Sequence, residues 1–369
     1  MKKRVVVGMS GGVDSSVAAM LLKNEGYEVI GVTMQIWDSS DACRIERNGG
    51  CCGQSAVDDA RRVAAALEIP YYVCDFREIF EDRVERNFIC EYLRGRTPNP
   101  CIACNRYVKW QSMLRKAAEI GADYIATGHY ARVLRLPNGR YTVRNSVTAA
   151  QDQTYMLYGL SQKQLSRTLM PIGDYDKSQT RRMAEEAGLP VAHKPDSQEI
   201  CFIPDNDYAS YLDRTAGNRV PPAGRFRWKD GTDLGPNKGI THYTIGQRKH
   251  LGIALGRPVF VTAIEPETNT VVLGEDSDVY GRKLSFSQVN FMAADPETFP
   301  VGETRQVLGK IRYSHTAVPC RITRVGEDTM TAEFERPVRA ITPGQSAVFY
   351  EQDYVLCGGI IDRKIPESM

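Results

Sequence analysis

A β-branched run that leads into a glycine-rich loop and a helical repeat is the feature that most constrains how this chain folds. Residues 4–8, RVVVG, predict a short strand. The following MSGGVDSSVAAMLLKNEG carries apolar residues at helical spacing from Val13 to Leu21, and Gly26 is placed to end the helix. A turn of this kind aims backbone N–H groups at a helix N-terminus, where the helix dipole also stabilises an anion.

The loop itself matches neither common nucleotide-binding pattern. No Gly-Lys-Ser/Thr follows, as a Walker A loop requires, and G-x-G-x-x-G is absent. Gly11 and Gly12 permit close approach of the backbone to a ligand, and Ser10 and Ser15 add hydroxyl donors. The alternative is an ordinary capped helix after a tight turn.

Strands and helices then alternate, which predicts an α/β fold with a doubly wound parallel sheet. In such sheets ligands bind at the carboxyl ends of strands. Met34 and Gly128 lie at two such ends, although Met34 suits a core position equally well. We expect Ser55 to cap the second helix. The expected strands are 27–36, 71–74 and 123–127, and the expected helices are 55–68, 77–93 and 107–120.

The composition is that of a globular protein: of 369 residues, 42% are hydrophobic and 25% charged. The formal net charge is +2, so a nucleic-acid surface must be local. No apolar run approaches 18 residues, and the basic start lacks a signal-peptide cleavage motif. We therefore expect a cytoplasmic protein with no membrane partner. In that compartment the ten cysteines do not predict a disulfide framework.

Cys101-x-x-Cys104 follows Pro98 and Pro100, and we expect this pair to lie in a stiff, exposed loop between two helices. Such a loop favours reactive thiols over structural ones. A zinc site, a redox pair and a nucleophile all use this spacing. A second C-x-x-C or a histidine pair to complete a zinc site is absent, so no metal site is firmly predicted.

The other cysteines suggest three settings. Cys201 lies in a second proline-punctuated segment, KPDSQEICFIP. We expect four cysteines in strand-like or helical runs to be small buried hydrophobes, namely Cys74, Cys90, Cys320 and Cys357. The remaining three share a glycine-rich insertion that we interpret as a flexible loop, namely Cys43, Cys51 and Cys52.

Beyond residue 206 short alternating apolar segments predict a central β-rich module and a C-terminal β-barrel. We expect a catalytic domain at 1–205, a central domain at 206–285 and the barrel at 286–369. Between Leu234 and Ile264 acidic residues are absent, which suits phosphate contact or, alternatively, a solvated basic loop. The basic residues there are Lys238, Arg248, Lys249 and Arg257. Arg312 and Tyr313 pair a guanidinium with an aromatic ring, as an unstacked base requires, or as ordinary strand neighbours do.

Six motifs together resemble the tRNA-specific 2-thiouridylases of the ATP pyrophosphatase (PP-loop) superfamily. The loop alone is similar to the superfamily, whereas the cysteine segment, SQEICFIP and HYTIGQRKHLGI resemble this family specifically. The resemblance spans nearly the whole chain in the family's order. The motifs are SGGVDS at 10–15, GRTPNPC-x-x-CN at 95–105, ATGHYAR at 126–132, DQTYMLYGL at 152–160, SQEICFIP at 197–204 and HYTIGQRKHLGI at 242–253.

The resemblance implies that ATP, with Mg²⁺, adenylates O2 of uridine 34, the wobble base in the anticodon stem-loop of tRNA, and that sulfur then replaces this oxygen. It implies a persulfide on Cys201, supplied by a cysteine desulfurase or a sulfur-relay protein, and a nucleophilic Cys104. After transfer the two cysteines would be joined as a disulfide that must be reduced. ATP would be bound by Gly8, Met9, Ser10, Gly11, Gly12, Val13, Asp14, Ser15, Met34 and Gly128.

Because the wobble base must leave its stack, some base flipping is expected. The tRNA path implied by the resemblance and by the basic stretch comprises Asn99, Pro100, Cys101, His129, Gln151, Asp152, Gln153, Arg248, Lys249, Arg312, Tyr313 and Gln345.

Cys101 departs from the family pattern, in which many members carry an aspartate that has been assigned a base role. Cysteine performs that role only if its pKa is suitably lowered. The alternative is that Cys101, Cys104 and Cys201 hold three corners of a [4Fe–4S] cluster with one open iron.

Other functions remain open at this stage. A different tRNA sulfurtransferase or a lysidine-type ligase would not need the HYTIGQR segment or the setting of Cys201. A non-catalytic RNA-binding protein would release no pyrophosphate when it meets tRNA. An amidating synthetase would need a source of ammonia and has no use for the basic stretch.

Overall fold

The computed structural model describes residues 2–36, 54–195, 200–203 and 207–366. The insertion with Cys43, Cys51 and Cys52 lies outside the described residues. The described residues fall into two compact units. The first contains those within 1–84, 101–206 and 353–355, and the second those within 85–100, 207–352 and 356–369.

A parallel sheet forms the centre of the first unit, as the alternating pattern predicts. Its strands are β1 (Arg4–Gly8), β2 (Glu28–Gln35), β3 (Tyr71–Asp75), β4 (Tyr124–Ala126) and β7 (Thr168–Leu169), in the order β3-β2-β1-β4-β7. All four neighbouring pairs are parallel. The order reverses at β1, so the crevice between the carboxyl ends of β1 and β4 is the expected place for a ligand.

Helix α1 (Val13–Asn24) packs its apolar side against this sheet, where Val5, Val7 and Val17 are fully buried. Gly26 ends the helix as predicted. Its φ of +89° is the left-handed conformation that glycine adopts without a steric penalty. Its N–H donates to Lys23 O at 3.0 Å.

Two predicted helices differ in detail from the structure. Helix α2 is Gln54–Ala66, so Ser55 lies inside the helix and the prediction that it is the cap is wrong; a cap needs a non-helical backbone. The expected helix over 77–93 is a single helical run of three segments. These are α3 (Arg77–Phe80), a π-helical segment (Glu81–Glu85) and α4 (Arg86–Leu93).

The cysteine pair lies on a helix, and the prediction of a loop there is wrong. The helical run consists of α5 (Pro100–Ala103), a π-helical segment (Cys104–Ser112) and α6 (Met113–Glu119). Pro100 begins this run because the fixed φ of proline suits the first helical position, where its missing N–H is not needed. The helix therefore starts seven residues before the expected 107.

The rest of the first unit joins the sheet to short helices. The hairpin of β5 (Ala131–Arg135) and β6 (Tyr141–Asn145) is antiparallel, and Arg144 of β6 pairs with Tyr354. The helices are α7 (Thr154–Leu157), α8 (Gln162–Leu165) and α9 (Lys177–Glu186). Helix α9 packs against α1.

The second unit contains the central domain and the barrel. After α10 (Tyr208–Ala216) come β8 (Arg225–Trp228), β9 (Asp233–Pro236), β10 (Phe260–Glu265) and β11 (Thr270–Gly274), in the sheet order β10-β11-β8-β9. Phe226, Tyr243 and Leu273 are buried in its core. Short 3₁₀ helices lie at Gly217–Arg219, Ile240–His242, Pro266–Thr268, Asp276–Val279 and Pro296–Thr298.

Six antiparallel strands close into the predicted C-terminal barrel, in the order β12-β15-β14-β13-β16-β17, with β12 also paired to β17. The fold is thus α/β in the first unit and β-rich in the second. The strands are β12 (Tyr280–Phe291), β13 (Thr304–Lys310), β14 (Val318–Arg324), β15 (Thr329–Arg339), β16 (Ser346–Glu351) and β17 (Tyr354–Ile365). Across the described part of the chain, no helix has the length and apolar character needed to cross a membrane.

Candidate active site

The loop between β1 and α1 is held in a conformation that requires glycine. Gly11 has φ +67°, and a Cβ there would collide with Ala56 O in α2. Gly12 is the N-cap of α1, and no side chain caps this helix. The loop therefore leaves the N-terminus of a twelve-residue helix without a competing side-chain acceptor, as an anion site requires.

Serines and the neighbouring strand fix the loop. Ser10 N donates to Ser15 Oγ at 3.1 Å, and Ser15 Oγ donates to Gly12 O at 3.2 Å. Met9 N donates to Val32 O at 2.8 Å. The loop is thus preorganised by its own side chains and by β2.

Gly128 and Met34 lie at the same edge of the sheet as the loop. Gly128 follows β4 and packs against the first turn of α1, since a Cβ there would lie 2.5 Å from Ser15 N. Met34, near the end of β2, is half-buried rather than fully enclosed in the core. The loop, Gly128 and Met34 therefore share one edge of the sheet, at its switch point.

A lysine that the sequence analysis missed completes the loop. Lys177 Nζ lies 2.8 Å from Asp14 Oδ1 and 2.9 Å from Oδ2, and Tyr130 donates its hydroxyl proton to Asp14 Oδ1 at 2.7 Å. Asp14 and Lys177 are 163 residues apart in the chain, so no local pattern links them. The only local signal was the capping box that starts α9, in which Asp176 accepts from Gln179 N.

The helix that carries Cys101 and Cys104 is anchored in the first unit by its buried residues. Asn105 Nδ2 donates to Met156 O at 2.9 Å, and Trp110 Nε1 donates to Thr168 Oγ1 at 2.8 Å. Both side chains are buried. Cys101 is exposed and Cys104 is half-buried, so the two thiols, one helical turn apart, differ in accessibility.

Cys201 occupies a turn fixed by the two residues after it. Phe202 is buried and its ring meets that of Phe80 edge-on, with 5.7 Å between ring centroids; Ile203 is also buried. The flanking residues 196–199 and 204–206 lie outside the described part of the chain. Cys201 is half-buried, and its sulfur, like that of Cys104, is in the reduced thiol form.

The expected buried cysteines divide into two pairs. Cys320 and Cys357 are buried as predicted, and burial raises the pKa of each to about 12. Cys74 and Cys90 are only half-buried, so for them the prediction is wrong. Burial nevertheless raises the pKa of Cys74. High pKa values keep Cys74, Cys320 and Cys357 protonated and poorly reactive.

The cysteines do not form a metal site as the structure places them. Among the described residues, which include Cys101, Cys104 and Cys201, there is no group of three or more His, Cys, Asp or Glu side chains that could hold a metal ion. The three thiols therefore do not fit an iron–sulfur cluster in this conformation.

His129 and the segment 151–153 lie in the first unit and adjoin Tyr130, whose hydroxyl bonds to Asp14 at the start of α1. His129 Nδ1 is 2.8 Å from Thr127 Oγ1, and burial holds its pKa well below the usual 6.5, so the ring is neutral at pH 7. Gln153 Oε1 accepts from Tyr130 N at 2.9 Å, and Asp152 Oδ1 accepts from Ser146 N at 3.0 Å. Gln151 Oε1 accepts from Thr148 Oγ1.

The basic stretch of the second unit has four exposed cations, Lys238, Arg248, Lys249 and Arg257. Arg248 lines a surface cavity of about 610 Å³, together with His250–Ala254 and Gly256–Val259, and Lys249 is its neighbour in the chain. Arg257 differs, since it lies over the ring of Trp228 and pairs with Glu275 at 3.1 Å. Glu275 lies outside the stretch 234–264, so the absence of acidic residues from that stretch did not indicate this partner of Arg257.

The other residues predicted to contact tRNA in the second unit have defined partners within it. Arg312 Nη2 donates to Ile245 O at 2.9 Å and to Thr342 Oγ1 at 2.6 Å, and Lys310 Nζ lies over the ring of Tyr313, 5.4 Å from its centroid. Gln345 Nε2 donates to Thr97 O at 2.9 Å and to Pro98 O at 3.2 Å, just before Asn99 and Pro100.

A doubly wound parallel sheet with SGGVDS at its switch point defines a PP-loop ATP pyrophosphatase. Models of three domain families match the chain: the tRNA methyl transferase HUP domain over residues 3–205, the tRNA methyl transferase PRC-barrel domain over 210–275 and the aminomethyltransferase beta-barrel domain over 281–361.

Full-length relatives identify the family. The tRNA-specific 2-thiouridylase MnmA of Lachnoclostridium phytofermentans is 58% identical over 97% of this chain and 99% of its own. That of Clostridioides difficile is 52% identical over 99% of both chains. The chain belongs to the tRNA-specific 2-thiouridylase family. A solved 4-thiouridine synthetase–RNA complex with bound ATP is 17% identical over 59% of this chain and 51% of its own, and its TM-score of 0.34 is too low to support any inference.

Proposed function

We propose that this protein is a tRNA-uridine 2-sulfurtransferase that uses ATP to replace O2 of uridine 34 with sulfur. The observation that carries the proposal is 58% identity, over 97% of the chain, to a tRNA-specific 2-thiouridylase. The uncapped α1 N-terminus and the glycine cradle at Gly11 and Gly128 support the use of ATP.

In the proposed first step the loop from Gly8 to Ser15 holds the phosphates of ATP, with Met34 and Gly128 on the nucleoside side. Mg²⁺ accompanies ATP as a phosphate ligand. O2 of the uridine attacks the α-phosphorus and pyrophosphate leaves, so that O2 becomes part of AMP. A poor oxygen leaving group is thereby turned into a good one.

Sulfur transfer follows through Cys201 and Cys104. A cysteine desulfurase or a sulfur-relay protein loads Cys201 with a persulfide, whose terminal sulfur attacks C2 of the adenylated base. The Cys104 thiolate attacks the Cys201 sulfur and breaks the sulfur–sulfur bond, AMP departs, and C2 keeps the sulfur. Two thiols are oxidised to a Cys104–Cys201 disulfide as the sulfane sulfur is reduced, so a dithiol reductant must restore the enzyme.

We propose the persulfide route; a [4Fe–4S] cluster held by Cys101, Cys104 and Cys201 is the alternative, which iron content distinguishes. The exposed Cys101 replaces the family's aspartate beside Cys104. tRNA is expected to contact Asn99, Pro100, Cys101, His129, Gln151–Gln153, Arg248, Lys249, Arg312, Tyr313 and Gln345. We also propose the three domains 1–205, 206–285 and 286–369, which the ranges of the matched family models support.

Thiolation of tRNA in vitro tests the function. Wild-type protein, ATP, tRNA with U34, cysteine, a cysteine desulfurase and a dithiol reductant should give 2-thiouridine, AMP and pyrophosphate. Cys104→Ser and Cys201→Ser should each abolish 2-thiouridine, because one cysteine attacks and the other carries sulfur. Cys74→Ser, a half-buried thiol in the same unit, is the matched control and should keep activity.

The products separate the alternatives. A protein that binds tRNA but forms no AMP or pyrophosphate is a non-catalytic RNA-binding protein. Full 2-thiouridine formation by either the Cys104 or the Cys201 variant would overturn the roles assigned here.

A further inference from the structure

The segment of chain that leads into the thiols belongs to the second unit. The HUP-domain model matches residues 3–205, but Glu85–Pro100 packs within the second unit rather than the first. Pro100 begins the helical run that carries Cys101 and Cys104, here called the cysteine helix. The place where this helix starts is therefore set by the contacts of the second unit.

Two glycines let the segment lie close to the rest of that unit. A Cβ at Gly95 would lie 2.8 Å from Ile264 Cγ2 and 2.9 Å from Pro266 Cγ, both in the central domain. A Cβ at Gly344, in the barrel, would lie 2.9 Å from Thr97 N and 3.0 Å from Thr97 O. Both glycines also have left-handed backbones, with φ of +67° and +89°. The segment thus contacts both the central domain and the barrel at distances that only glycine permits.

The barrel residues 340–345, here called the anchor loop, hold the backbone of the segment. Pro343 O accepts from Thr97 N at 2.9 Å. Gln345 Nε2 donates to Thr97 O at 2.9 Å and to Pro98 O at 3.2 Å. Both the N–H and the C=O of Thr97 are therefore bonded to this one loop.

The anchor loop is itself fixed to the barrel. Gly344 N donates to Ile361 O at 2.9 Å, and Ile361 N donates to Gln345 O at 2.8 Å. Thr342 is 1% exposed, and its hydroxyl donates to Ala340 O at 2.9 Å. The loop is thus a bonded part of the barrel rather than a free connection, so it can hold another segment in place.

A displacement of Thr97 would be passed on to the thiols. Only three residues separate Thr97 from Cys101, and two of them, Pro98 and Pro100, have a φ that their rings restrict. Cys104 lies one helical turn beyond Cys101. Because a misplacement of about 1 Å can cost about 10²-fold in rate, the start of the cysteine helix must be held accurately if the thiols are to react.

We propose that the anchor loop, through Gly344, is a positioning element for sulfur transfer: it fixes the Thr97 backbone and thereby the start of the cysteine helix. The inference rests on the proposed function, in which Cys104 acts in that transfer. The same unit carries the exposed Arg248 and Lys249, so the loop gives the helix start a fixed place within the unit expected to contact tRNA.

Gly344→Ala tests the proposal, because the new methyl group must push the Thr97 backbone away. At saturating tRNA, ATP and persulfide donor, kcat for 2-thiouridine should fall at least about tenfold. The dissociation constants of tRNA and ATP should stay within about threefold of wild type, because no group proposed to bind either ligand is removed. Hydrogen–deuterium exchange at the Thr97 amide should become faster, since its bond to Pro343 O is disturbed.

Gly302→Ala is the matched control. Gly302 also lies in the barrel and has φ +93°, but a Cβ there would meet nothing within 4 Å. The two variants therefore share the cost of an alanine in the left-handed region and differ in the approach to Thr97. Gly302→Ala should leave kcat and the exchange of the Thr97 amide unchanged.

Gly95→Ala disturbs the same segment from the central domain, and it decides the question if Gly344→Ala does not fold. It should lower kcat at least about tenfold, again with little change in the affinity for tRNA or ATP. Gly231→Ala is its control, since Gly231 has φ +92° and a Cβ there would meet nothing within 4 Å.

The outcomes are distinguishable. If wild-type protein forms no 2-thiouridine, the proposed function itself fails. If wild type is active and the folded Gly344→Ala and Gly95→Ala variants keep kcat within about threefold, the inference fails while the function stands. The inference is also wrong if the affinity for tRNA falls as much as kcat, or if Gly302→Ala lowers kcat as much as Gly344→Ala does.

Discussion

Gly128→Ala should weaken ATP binding far more than it lowers the stability of the fold. A Cβ at Gly128 would lie 2.5 Å from Ser15 N and 2.7 Å from the carbonyl carbon of Asp14. Both are backbone atoms and cannot rotate away. Since non-bonded heavy atoms prefer separations of about 3.5 Å, the first turn of α1 must retreat by about 1 Å. The φ of Gly128 is not in the left-handed region, so the effect is steric and not conformational.

The expected loss of ATP affinity follows from the number of backbone N–H donors in the first turn of α1 that the shift displaces. If the shift removes two charge-assisted hydrogen bonds to phosphate, each worth about 1.5–3 kcal/mol, binding loses about 3–6 kcal/mol. That corresponds to a loss of ATP affinity of about 10² to 10⁴. The free energy of unfolding should fall by only about 1–3 kcal/mol, as is usual for overpacking.

The assay is ATP binding by equilibrium dialysis, together with chemical unfolding of the same preparations. Gly159→Ala is the control, because Gly159 is buried in the same unit but its Cβ would meet only the flexible Arg106 side chain, 3.7 Å away at Cδ. A folded Gly128→Ala protein that binds ATP within about threefold of wild type, roughly 0.7 kcal/mol, would refute the reasoning.

Two further predictions concern sulfur and RNA. Cys101→Asp should retain thiolation without bound iron, because in the persulfide route the change restores the family's usual residue; an inactive variant whose wild type carries about four irons per chain would favour the cluster instead. Arg248→Glu with Lys249→Glu should weaken tRNA binding and lower the slope of log affinity against log salt by about 0.7–0.9 for each lost phosphate contact. Arg336→Glu, an exposed change elsewhere in the second unit, should alter that slope less, and equal slopes for the two proteins would mark the stretch as an ordinary solvated loop.

Local patterns predicted the parallel sheet well, because the spacing of apolar residues within each segment of the first unit indicates a strand or a helix. The strand at 4–8 and the helix end at Gly26 are confirmed. The Ser55 cap was wrong because a serine near a helix start has the same appearance in sequence whether it precedes the helix or lies in its first turn. Only the backbone conformation separates the two cases.

The start of the cysteine helix was wrong for a related reason. Prolines favour loops, but proline also suits the first turn of a helix, and Pro100 lies in such a position. The correction changes the setting of Cys101 and Cys104: both project from a helix whose buried residues, Asn105 and Trp110, are tied to neighbouring elements. A helix restricts the directions of the two thiols more tightly than a loop would.

Long-range partners could not be predicted from local patterns. Lys177 reaches Asp14 across 163 residues, and Gln345 reaches Thr97 and Pro98 across 248 and 247. In both cases nothing near the polar residue in the sequence indicates its partner, yet in the fold its side chain forms a hydrogen bond with a specific distant group. Arg312, which the sequence analysis placed on the tRNA path, likewise donates to distant groups, Ile245 O and Thr342 Oγ1.

The position of the unit boundary gives Gln345 a physical role that sequence resemblance alone does not. Residues Glu85–Pro100 belong to the second unit, and Cys101 begins the part of the first unit that carries the thiols. Gln345 Nε2 and Pro343 O, both from the barrel unit, bond to the backbone at Thr97 and Pro98. The chain is therefore fixed only a few residues before the cysteine helix begins. Because a carboxamide that donates to two backbone carbonyls has no donor left on that nitrogen, only Gln345 Oε1 could contact RNA without breaking this anchor.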